Sequence, residues 1–443
     1  MSIKRGENLR KVAFYTLGCK VNQYDTEAVL EKFKEQGYEV VDFNEYADVY
    51  VVNTCTVTHL SDRKCRQMLR KTKKINSDSI LVAMGCYAQI AADKIKDQVE
   101  EIDIIVGTNK RNEIVDLVDN FEKEKRQTIN TVSNIMDVGE FEELHISDMG
   151  ERTRVYVKVQ EGCNNYCSYC IIPYTRGKIR SRKEEQVVEE VTKLVGLGFK
   201  EIILTGIHVL AYGKDLGNTD LIQLLKRVHE IEGVERIRMS SIEPVAITDE
   251  FIYALKEMPK VCHHFHLSLQ SGSETILKRM NRKYTAVEYK ASVERLRTLW
   301  PDVAITTDVI VGFPGETEEE FLETVEFVKD VHLAQIHIFP FSPREGTPAA
   351  KMRAQVAPEI KEHRAKVLSE VEKSLRLAYM EQFIDKELEV LFEKHHENEV
   401  TGYTSNYLKV QVLGNETIEN TIQKVRIDAI KDEHLLVGHV ITR

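Results

Sequence analysis

The sequence predicts an α/β protein in three parts: an open N-terminal α/β domain with a parallel sheet, a central partial (β/α)6 barrel, and a small C-terminal β-barrel. Strand-like and helical segments alternate over roughly the first three quarters of the chain, and short strand patterns follow a long helical stretch near its end. A length of 443 residues suits about three domains. We place them at residues 1–145, 146–375 and 376–443.

Three strand patterns separated by helical stretches predict the N-terminal domain: residues 11–17, 48–52 and 79–84. The three strands lead into Cys19, Cys55 and Cys86, respectively. The carboxyl ends of parallel strands share one edge of an open α/β sheet, where sites are usually built. Three thiols at that edge can hold one metal cluster, although each alone also fits a buried cysteine that packs as a small hydrophobic side chain.

The central domain is predicted from six further strand patterns with helices between most of them: residues 154–159, 201–205, 236–240, 264–269, 305–310 and 335–339. Six strands with crossover connections favour a parallel, barrel-like sheet. Its active site is expected at the carboxyl ends of the strands. Several polar or small residues fall at that rim: Thr205, Gly206, Ser240, Ser241, Glu243, Gln270, Ser271 and Gly312.

A second cysteine set follows the first strand of this barrel. Cys163, Cys167 and Cys170 are spaced four and then three residues apart, so they fit one short loop. Structural zinc usually takes four protein ligands, and here there are three. Three thiolates suit a four-iron cluster with one iron open to a small molecule, with structural zinc as the alternative.

The C-terminal domain is predicted from an amphipathic helix at 358–383 and four strand patterns after it: residues 387–393, 408–413, 424–427 and 434–441. Short strands of this kind favour a small β-barrel. Residues 380–443 carry seven Lys or Arg and twelve Asp or Glu side chains. A barrel with this balance does not offer the basic surface expected for non-specific binding to a nucleic-acid backbone.

The composition suits a cytoplasmic protein. No segment approaches the roughly 20 apolar residues of a membrane span, and the N-terminus has no apolar run of the signal-peptide type. Eight cysteines in 443 residues are too few for a disulfide scaffold, so reduced thiols are expected. The net charge of −10 argues against a large nucleic-acid surface.

Two local basic runs depart from that overall charge. The first occupies a predicted helix at 63–74 and includes Arg66 and Arg70. The second begins six residues after Cys170 and contains Arg176, Lys178, Arg180 and Arg182. We predict that both runs contact RNA phosphates, although a run of charge is also typical of an ordinary solvated face.

Several motifs in this order resemble those of the radical S-adenosylmethionine (SAM) methylthiotransferases. In the N-terminal domain they are Gly18-Cys19-Lys20-Val21-Asn22-Gln23, Asn53-Thr54-Cys55 and Gly85-Cys86-Tyr87. In the barrel they are the loop at 163–182, Ser240-Ser241-Ile242-Glu243-Pro244, Leu267-Ser268-Leu269-Gln270-Ser271-Gly272-Ser273, the segment 308–317 and the segment 341–348. The resemblance covers essentially the whole chain.

The resemblance implies two [4Fe-4S] clusters and S-adenosyl-L-methionine as cofactors. Cys163, Cys167 and Cys170 are then ligands of the radical SAM cluster, and Cys19, Cys55 and Cys86 are ligands of a second cluster that holds the sulfur. The rim residues named above, together with Tyr169, become candidate SAM contacts. No side chain beyond the cluster ligands is expected to be catalytic, and the C-terminal barrel corresponds to an RNA-binding TRAM domain.

Within this family, Gly18 to Gln23 and Thr205-Gly206-Ile207-His208 look most like the branch that methylthiolates N6-threonylcarbamoyladenosine at position 37 of tRNA, next to the anticodon. The expected partners are the anticodon stem-loop of tRNA and an electron donor such as flavodoxin or ferredoxin; the sulfur donor is left open. One alternative is the same chemistry on isopentenyladenosine in tRNA or on a ribosomal-protein aspartate. Another is a non-catalytic RNA-binding protein with a structural metal.

Overall fold

The N-terminal sheet has six strands, all of them parallel. They are β1 (Lys11–Thr16), β2 (Glu39–Val41), β3 (Val49–Thr54), β4 (Ile80–Gly85), β5 (Ile104–Ile105) and β6 (Ile129–Asn130). Their order in the sheet is β2-β1-β3-β4-β5-β6. This computed structural model describes residues 9–124, 127–146 and 153–441.

Helices cover both faces of this sheet. They are α1 (Lys20–Glu35), α2 (His59–Ile75), α3 (Cys86–Gln98) and α4 (Ile114–Glu124). Every residue of β3 and β4 is buried, and a separate hydrophobic cluster lies on each side of them. Burial on both faces explains why these strands are continuous apolar runs. The three predicted strands and the parallel sheet are confirmed.

The central part contains six parallel strands in chain order and one short antiparallel strand. They are β7 (Arg154–Glu161), the antiparallel β8 (Arg180–Ser181), β9 (Glu201–Gly206), β10 (Arg236–Met239), β11 (His264–His266), β12 (Ala304–Val311) and β13 (Gln335–Pro340). β8-β7-β9-β10 and β11-β12-β13 form two sheets. Parallel bridges from Ile237 to Val261 and from Ile242 to Leu267 join the sheets, so the six strands form one partial barrel, as predicted.

Helices pack around the outside of the barrel. They are α5 (Ile172–Arg176), α6 (Glu184–Gly196), α7 (Leu221–His229), α8 (Asp249–Lys256), α9 (Glu274–Arg279), α10 (Ala286–Leu299), α11 (Glu318–Val331) and α12 (Pro358–Glu381). The largest hydrophobic core lies between the strands and helices such as α6, α7 and α10. The short α5 is an exception, because it packs against α3 of the N-terminal domain. α12 runs past residue 375, where the sequence placed the end of the central domain.

The C-terminal part is a closed five-stranded barrel. Its strands are β14 (Glu387–His396), β15 (Glu399–Thr404), β16 (Lys409–Leu413), β17 (Ile422–Asp432) and β18 (Leu435–Val440), in the closed order β14-β15-β16-β18-β17. Met380 and Phe383 at the end of α12 contribute to its core. A small barrel was predicted, and β15 is an additional strand.

Three arginines from the central part hold the C-terminal barrel in place. Arg236 donates to the backbone carbonyls of Tyr403 and Glu389, at 2.8 and 2.9 Å. Arg238 donates to the carbonyl of Ser405 at 3.0 Å, and Arg154 pairs with the carboxylate of Glu393. Among the described residues, no helix combines the length and apolarity that crossing a bilayer requires.

Candidate active site

Cys19, Cys55 and Cys86 follow β1, β3 and β4, which are neighbours in the sheet. The sheet therefore brings the three predicted ligands to one edge. Gly18 has a φ of +112°, and a Cβ added there would lie 3.2 Å from the Sγ of Cys55. Only glycine allows this close approach between the two cysteine loops. Cys19 is exposed, whereas Cys55 and Cys86 are buried.

Cys163, Cys167 and Cys170 lie in the loop that leaves the carboxyl end of β7. Gly162 at its start has a φ of +73°, and a Cβ there would collide with the carbonyl oxygen of Lys178 at 1.9 Å. A guanidinium N–H of Arg282 donates to the Sγ of Cys167 at 3.2 Å. The glycine thus lets the loop fold back against residue 178, and the arginine places a positive charge beside one thiol.

Both cysteine sets fit an iron–sulfur cluster with one open iron. All six thiols are free, and each set contributes three of them from one loop or one sheet edge. Burial raises the pKa of the Cys86 thiol to about 11 and that of the Cys170 thiol to about 12. Binding to iron displaces these protons, and Arg176 and Arg282 offset the negative charge that results.

Arg176 connects the two cysteine-bearing parts of the molecule. Its Nε donates to the Sγ of Cys86 at 3.2 Å, and its other nitrogens contact Asp25 at 3.0 Å, Glu161 at 2.5 Å and the side-chain oxygen of Asn22 at 2.5 Å. Cys86, Asp25 and Asn22 belong to the N-terminal domain, whereas Glu161 ends β7 of the barrel. The guanidinium is therefore an interdomain contact with no exposed surface.

The ion pairs around Arg176 extend into a buried network. Arg111 pairs with Asp25, with Glu161 at 3.2 Å and with Glu142 at 2.8 Å. Lys158 pairs with Asp25 at 2.5 Å and Glu161 at 3.1 Å. Burial alone would raise the pKa of Asp25, but Arg111, Lys158 and Arg176 together lower it below its ordinary value. Three cations thus match three carboxylates between the domains.

The structure contradicts the prediction that the arginines of the second basic run bind RNA. Arg176, Arg180 and Arg182 are buried, and Arg182 pairs with Glu190 and with Glu143 at 2.8 Å. Arg176 and Arg182 pair with buried carboxylates, and Arg180 donates to the backbone carbonyl of Lys178 at 3.2 Å, so these side chains stabilise the interior. Lys178 in the same run is exposed.

The first basic run lies on α2, as predicted. Arg70 is exposed, whereas Arg66 is half-buried and donates to the hydroxyl of Tyr87 at 2.7 Å. An open groove of about 700 Å³ runs along this helix. Its lining includes five basic side chains: Arg63, Arg66, Arg70, Lys71 and Lys74.

A cavity of about 910 Å³ separates the edge of the N-terminal sheet from the barrel rim. Cys19 and Lys20 line it from one side. Thr205, Gly206, Ser240 and Ser241, four of the predicted SAM contacts, line it from the other. The hydroxyls of Thr205 and Ser240 are buried and have no hydrogen-bond partner in the described part of the chain.

The other predicted SAM contacts do not line this cavity. Glu243 lies beside the cysteine loop, where it accepts from Asn165 at 2.9 Å and pairs with Arg282 at 2.9 Å. His208 lies between Glu243 and the cysteine loop: its Nε2 is 3.4 Å from the Glu243 carboxylate, and its Nδ1 is 3.9 Å from the Sγ of Cys163. These contacts place Glu243 near the predicted radical SAM cluster.

Three further candidates contact other residues of the central domain. Ser271 is fully buried and bonds the hydroxyl of Thr324 at 3.1 Å, so the prediction of a SAM contact is wrong for its side chain. Gln270 has a φ of +72°, and its backbone bridges to β12. The amide of Gly312 donates to Glu316 at 2.6 Å. Tyr169 packs against an apolar cluster that consists of Ile276, Met280, Phe313, Phe341 and Ala349. Its contact with adenine stays a prediction.

Sequence reasoning missed a second cavity, of about 390 Å³, between the central barrel, α12 and the C-terminal barrel. His264, His266 and His337 line it, together with Lys20, which therefore borders both cavities. The ring of Tyr407 stacks on His264 at 4.8 Å. Alternation along a strand places His264 and His266 on one face, so the His-x-His pattern was the available signal.

Three basic side chains line this second cavity: Lys20, Arg376 and Lys409. Burial lowers the pKa of His337, an effect that Asp308 opposes and that His266 and Lys20 reinforce. Although Lys20 is open to the cavities, partial desolvation by the protein around them lowers its pKa, an effect that Tyr407 opposes and that Arg238 and Arg154 reinforce. His266, Asp308 and His337 bring three ligand atoms within 4.8 Å of one another, but neighbouring Lys20 disfavours a cation there.

The fold and the loop with three cysteines define a radical SAM enzyme with a second cysteine site. A family model described as the radical SAM superfamily matches residues 157–328, and one described as uncharacterized protein family UPF0004 matches residues 11–107. A solved structure of the radical SAM methyltransferase TsrM from Kitasatospora setae is similar in fold. It has a TM-score of 0.58 and 13% identity, and the match covers 77% of each chain.

Curated relatives match nearly the whole chain. The threonylcarbamoyladenosine tRNA methylthiotransferase MtaB of Bacillus subtilis (strain 168) is 46% identical, over 94% of this chain and 93% of its own. A tRNA-2-methylthio-N(6)-dimethylallyladenosine synthase of Thermoanaerobacter sp. (strain X514) is 37% identical, over 96% and 92%. The chain belongs to the radical SAM methylthiotransferase family, whose members use SAM and two [4Fe-4S] clusters.

Proposed function

We propose that this protein is a tRNA methylthiotransferase that attaches a methylthio group to C2 of N6-threonylcarbamoyladenosine next to the anticodon. The observation that carries the proposal is the cavity between Cys19 and the barrel rim. A base placed there would lie against Cys19 on one side and against the barrel rim on the other, so sulfur held at the N-terminal cysteine set could reach it. The higher identity to the relative named for threonylcarbamoyladenosine favours this substrate over dimethylallyladenosine.

The chain's residues hold and orient the reactants. A SAM molecule bound at the cluster of Cys163, Cys167 and Cys170 supplies a carbon radical that can remove hydrogen from an unactivated ring carbon. Thr205 and Ser240 lie at the rim where such a ligand would bind. We assign no general base, since radical removal of hydrogen needs none. We expect Glu243, Gln270, Gly312 and Tyr169 to form the remainder of this site.

Partners and location follow from this assignment. We infer that the anticodon stem-loop of tRNA enters over the first cavity and that α2, with Arg66 and Arg70, contacts its phosphates. Lys178, which is exposed, is a further candidate contact. We propose a small electron carrier such as flavodoxin or ferredoxin as reductant, and a cytoplasmic location, where tRNA is found.

Mass spectrometry of nucleosides from total tRNA tests the proposal. Cells lacking the protein are expected to lose the 2-methylthio form of threonylcarbamoyladenosine and to accumulate its precursor. Wild-type protein should restore it, and Cys55→Ala and Cys163→Ala should not. Cys262→Ala is the matched control, because Cys262 is buried and lies in neither set.

The other outcomes separate the alternatives. Loss of the isopentenyl counterpart would move the same chemistry to isopentenyladenosine. If neither nucleoside changes, the RNA substrate is wrong and a ribosomal protein becomes the next candidate. Restoration by both cysteine variants would contradict radical chemistry altogether.

A further inference from the structure

Lys20 occupies a position that the cluster and SAM assignments leave unexplained. It begins α1 directly after Cys19 and lines both the 910 Å³ cavity and the 390 Å³ cavity. Its side chain is exposed to this space. No hydrogen bond or ion pair of its ammonium group occurs within residues 9–124, 127–146 and 153–441. A cation without a partner at the junction of two cavities is suited to bind an anionic ligand.

The second cavity favours an anion rather than a cation. Its described lining includes the basic side chains Lys20, Arg376 and Lys409 but no Asp or Glu, and Asp308 lies next to it, 3.3 Å from His266. This composition contrasts with the net charge of −10 for the whole chain. Arg376 is already paired with Glu372 and Glu433, each at 3.4 Å, whereas Lys20 is not.

The substituent on the proposed substrate carries such an anion. In an N6-threonylcarbamoyl group the threonine is joined through its amino nitrogen, so its carboxylate and hydroxyl remain free. C2 and C6 of adenine flank the same ring nitrogen, so a substituent on N6 lies close to the carbon that receives sulfur. A residue adjacent to a ligand of the sulfur-bearing cluster is therefore well placed to meet that substituent.

We propose that Lys20 binds the carboxylate of the threonylcarbamoyl group and thereby selects this nucleoside over ones with an apolar N6 substituent. The inference rests on the proposed function. The base occupies the first cavity, and the threonyl group extends past Lys20 into the second. There the exposed imidazole of His337 offers a polar contact to the substituent. A dimethylallyl group is uncharged, so Lys20 does not strengthen the binding of a nucleoside that carries it.

Binding measurements on two RNAs test this role without turnover. An anticodon stem-loop RNA carrying threonylcarbamoyladenosine is compared with the same RNA carrying its methyl ester, which removes the negative charge and keeps the shape. Cluster-loaded protein without SAM should bind the free acid at least about tenfold more tightly, as a charge-assisted hydrogen bond predicts. Lys20→Met should bind both RNAs alike, and Lys20→Arg should keep most of the preference.

Controls separate recognition from damage. Lys193→Met removes one charge from an exposed position on α6 and should leave the preference unchanged. Iron content and the visible spectrum of Lys20→Met must match wild type, because the residue follows a cluster ligand. A wild-type preference in Lys20→Met with intact clusters would overturn the inference. So would wild-type protein that binds both RNAs alike, and nucleoside mass spectrometry would still decide the function independently.

Discussion

Arg176 has two roles: it contacts a predicted cluster ligand, and it stabilises the contact between the N-terminal domain and the central barrel. Its guanidinium donates to Cys86 and to carboxylates from both domains, and it is fully buried. Planar guanidinium groups serve such sites better than ammonium groups, because they donate to several acceptors in fixed directions. Within this network the residue positions Asp25 and Glu161 and balances the charge of a cluster ligand.

Arg176→Met is therefore expected to destabilise the protein rather than to weaken RNA binding directly. It leaves Asp25 and Glu161 buried with fewer counter-charges, and the loss of one partner of a buried ion pair costs about 3–5 kcal/mol. The urea concentration at the midpoint of unfolding should fall accordingly. Lys178→Met, two residues away and exposed, should leave the midpoint unchanged. A variant with wild-type stability and weakened tRNA affinity would contradict the buried role.

The sequence predicted the sheet edge on which Cys19, Cys55 and Cys86 lie but not the burial of this arginine run, and the physical reasons differ. Strand patterns that end in cysteine specify the edge on which the thiols lie, because parallel strands share their carboxyl edge. A run of basic residues carries no information about which carboxylates fold against it. Asp25 lies 151 residues from Arg176, and no local pattern connects the two.

At the scale of elements, the amino ends of β9 and β10 form a charged platform for the C-terminal barrel. Glu201 at the start of β9 pairs with Arg238 at 2.7 Å, and Arg236 lies 3.9 Å away. Both arginines donate to backbone carbonyls of the C-terminal barrel. Burial alone would raise the pKa of Glu201, but Arg238, Arg154 and Arg236 lower it below its ordinary value of 4.5.

The docking of the barrel should therefore weaken in acid. A carboxyl whose pKa is lowered by folding stabilises the fold above its ordinary pKa, and this stabilisation is lost as the pH falls through the lowered value. Glu201→Gln should be about 3–5 kcal/mol less stable than wild type near pH 7. Below pH 4.5 the difference between the two proteins should shrink as Glu201 of the wild type becomes protonated.

Urea unfolding across this pH range measures that difference. Comparing two proteins isolates Glu201, because loss of clusters in acid affects both alike. Glu189→Gln is the control: Glu189 is an exposed glutamate on α6 paired with Lys193. A constant difference between Glu201→Gln and wild type down to pH 3 would show that folding does not lower the pKa of Glu201.

Elements that the sequence did not predict are short or contain glycine. β5 and β6 have two residues each, too few for a periodic pattern. β15 contains Gly402, where a Cβ would lie 2.2 Å from the carbonyl oxygen of Leu391 on β14. Glycine there permits close strand packing but weakens the strand pattern in the sequence. The longer, buried strands were predicted because burial on one or both faces dictates their apolar residues.

At the scale of the whole molecule, three domains meet around two cavities that share Lys20. The N-terminal domain contributes Cys19, the central barrel contributes its rim, and the C-terminal barrel closes the second cavity with Tyr403 and Tyr407. These tyrosines stack on each other at 5.0 Å, and the guanidinium of Arg154 lies 4.3 Å from the Tyr403 ring. Because these tyrosines pack in the interface between domains, a different surface must attract the RNA.

The basic face of α2 is the surface best placed for that attraction. α2 begins four residues after Cys55, and Val57, just before it, lines the first cavity. Arg63, Arg70 and Lys74 lie along its groove and are exposed. Phosphates of a stem-loop whose base enters the cavity can therefore follow this helix outward.

Replacing Arg63, Arg70 and Lys74 together by Gln should weaken tRNA binding and reduce its dependence on salt. Each lost phosphate contact removes about 0.7–0.9 from the slope of log affinity against log salt concentration, so the slope should fall by about two. Titrations at several salt concentrations measure it. Gln at Lys193, Lys290 and Lys329 makes the same charge change on helices around the barrel and should leave the slope unchanged. Equal slopes for both triple variants would mean that α2 presents a solvated face and that RNA approaches from elsewhere.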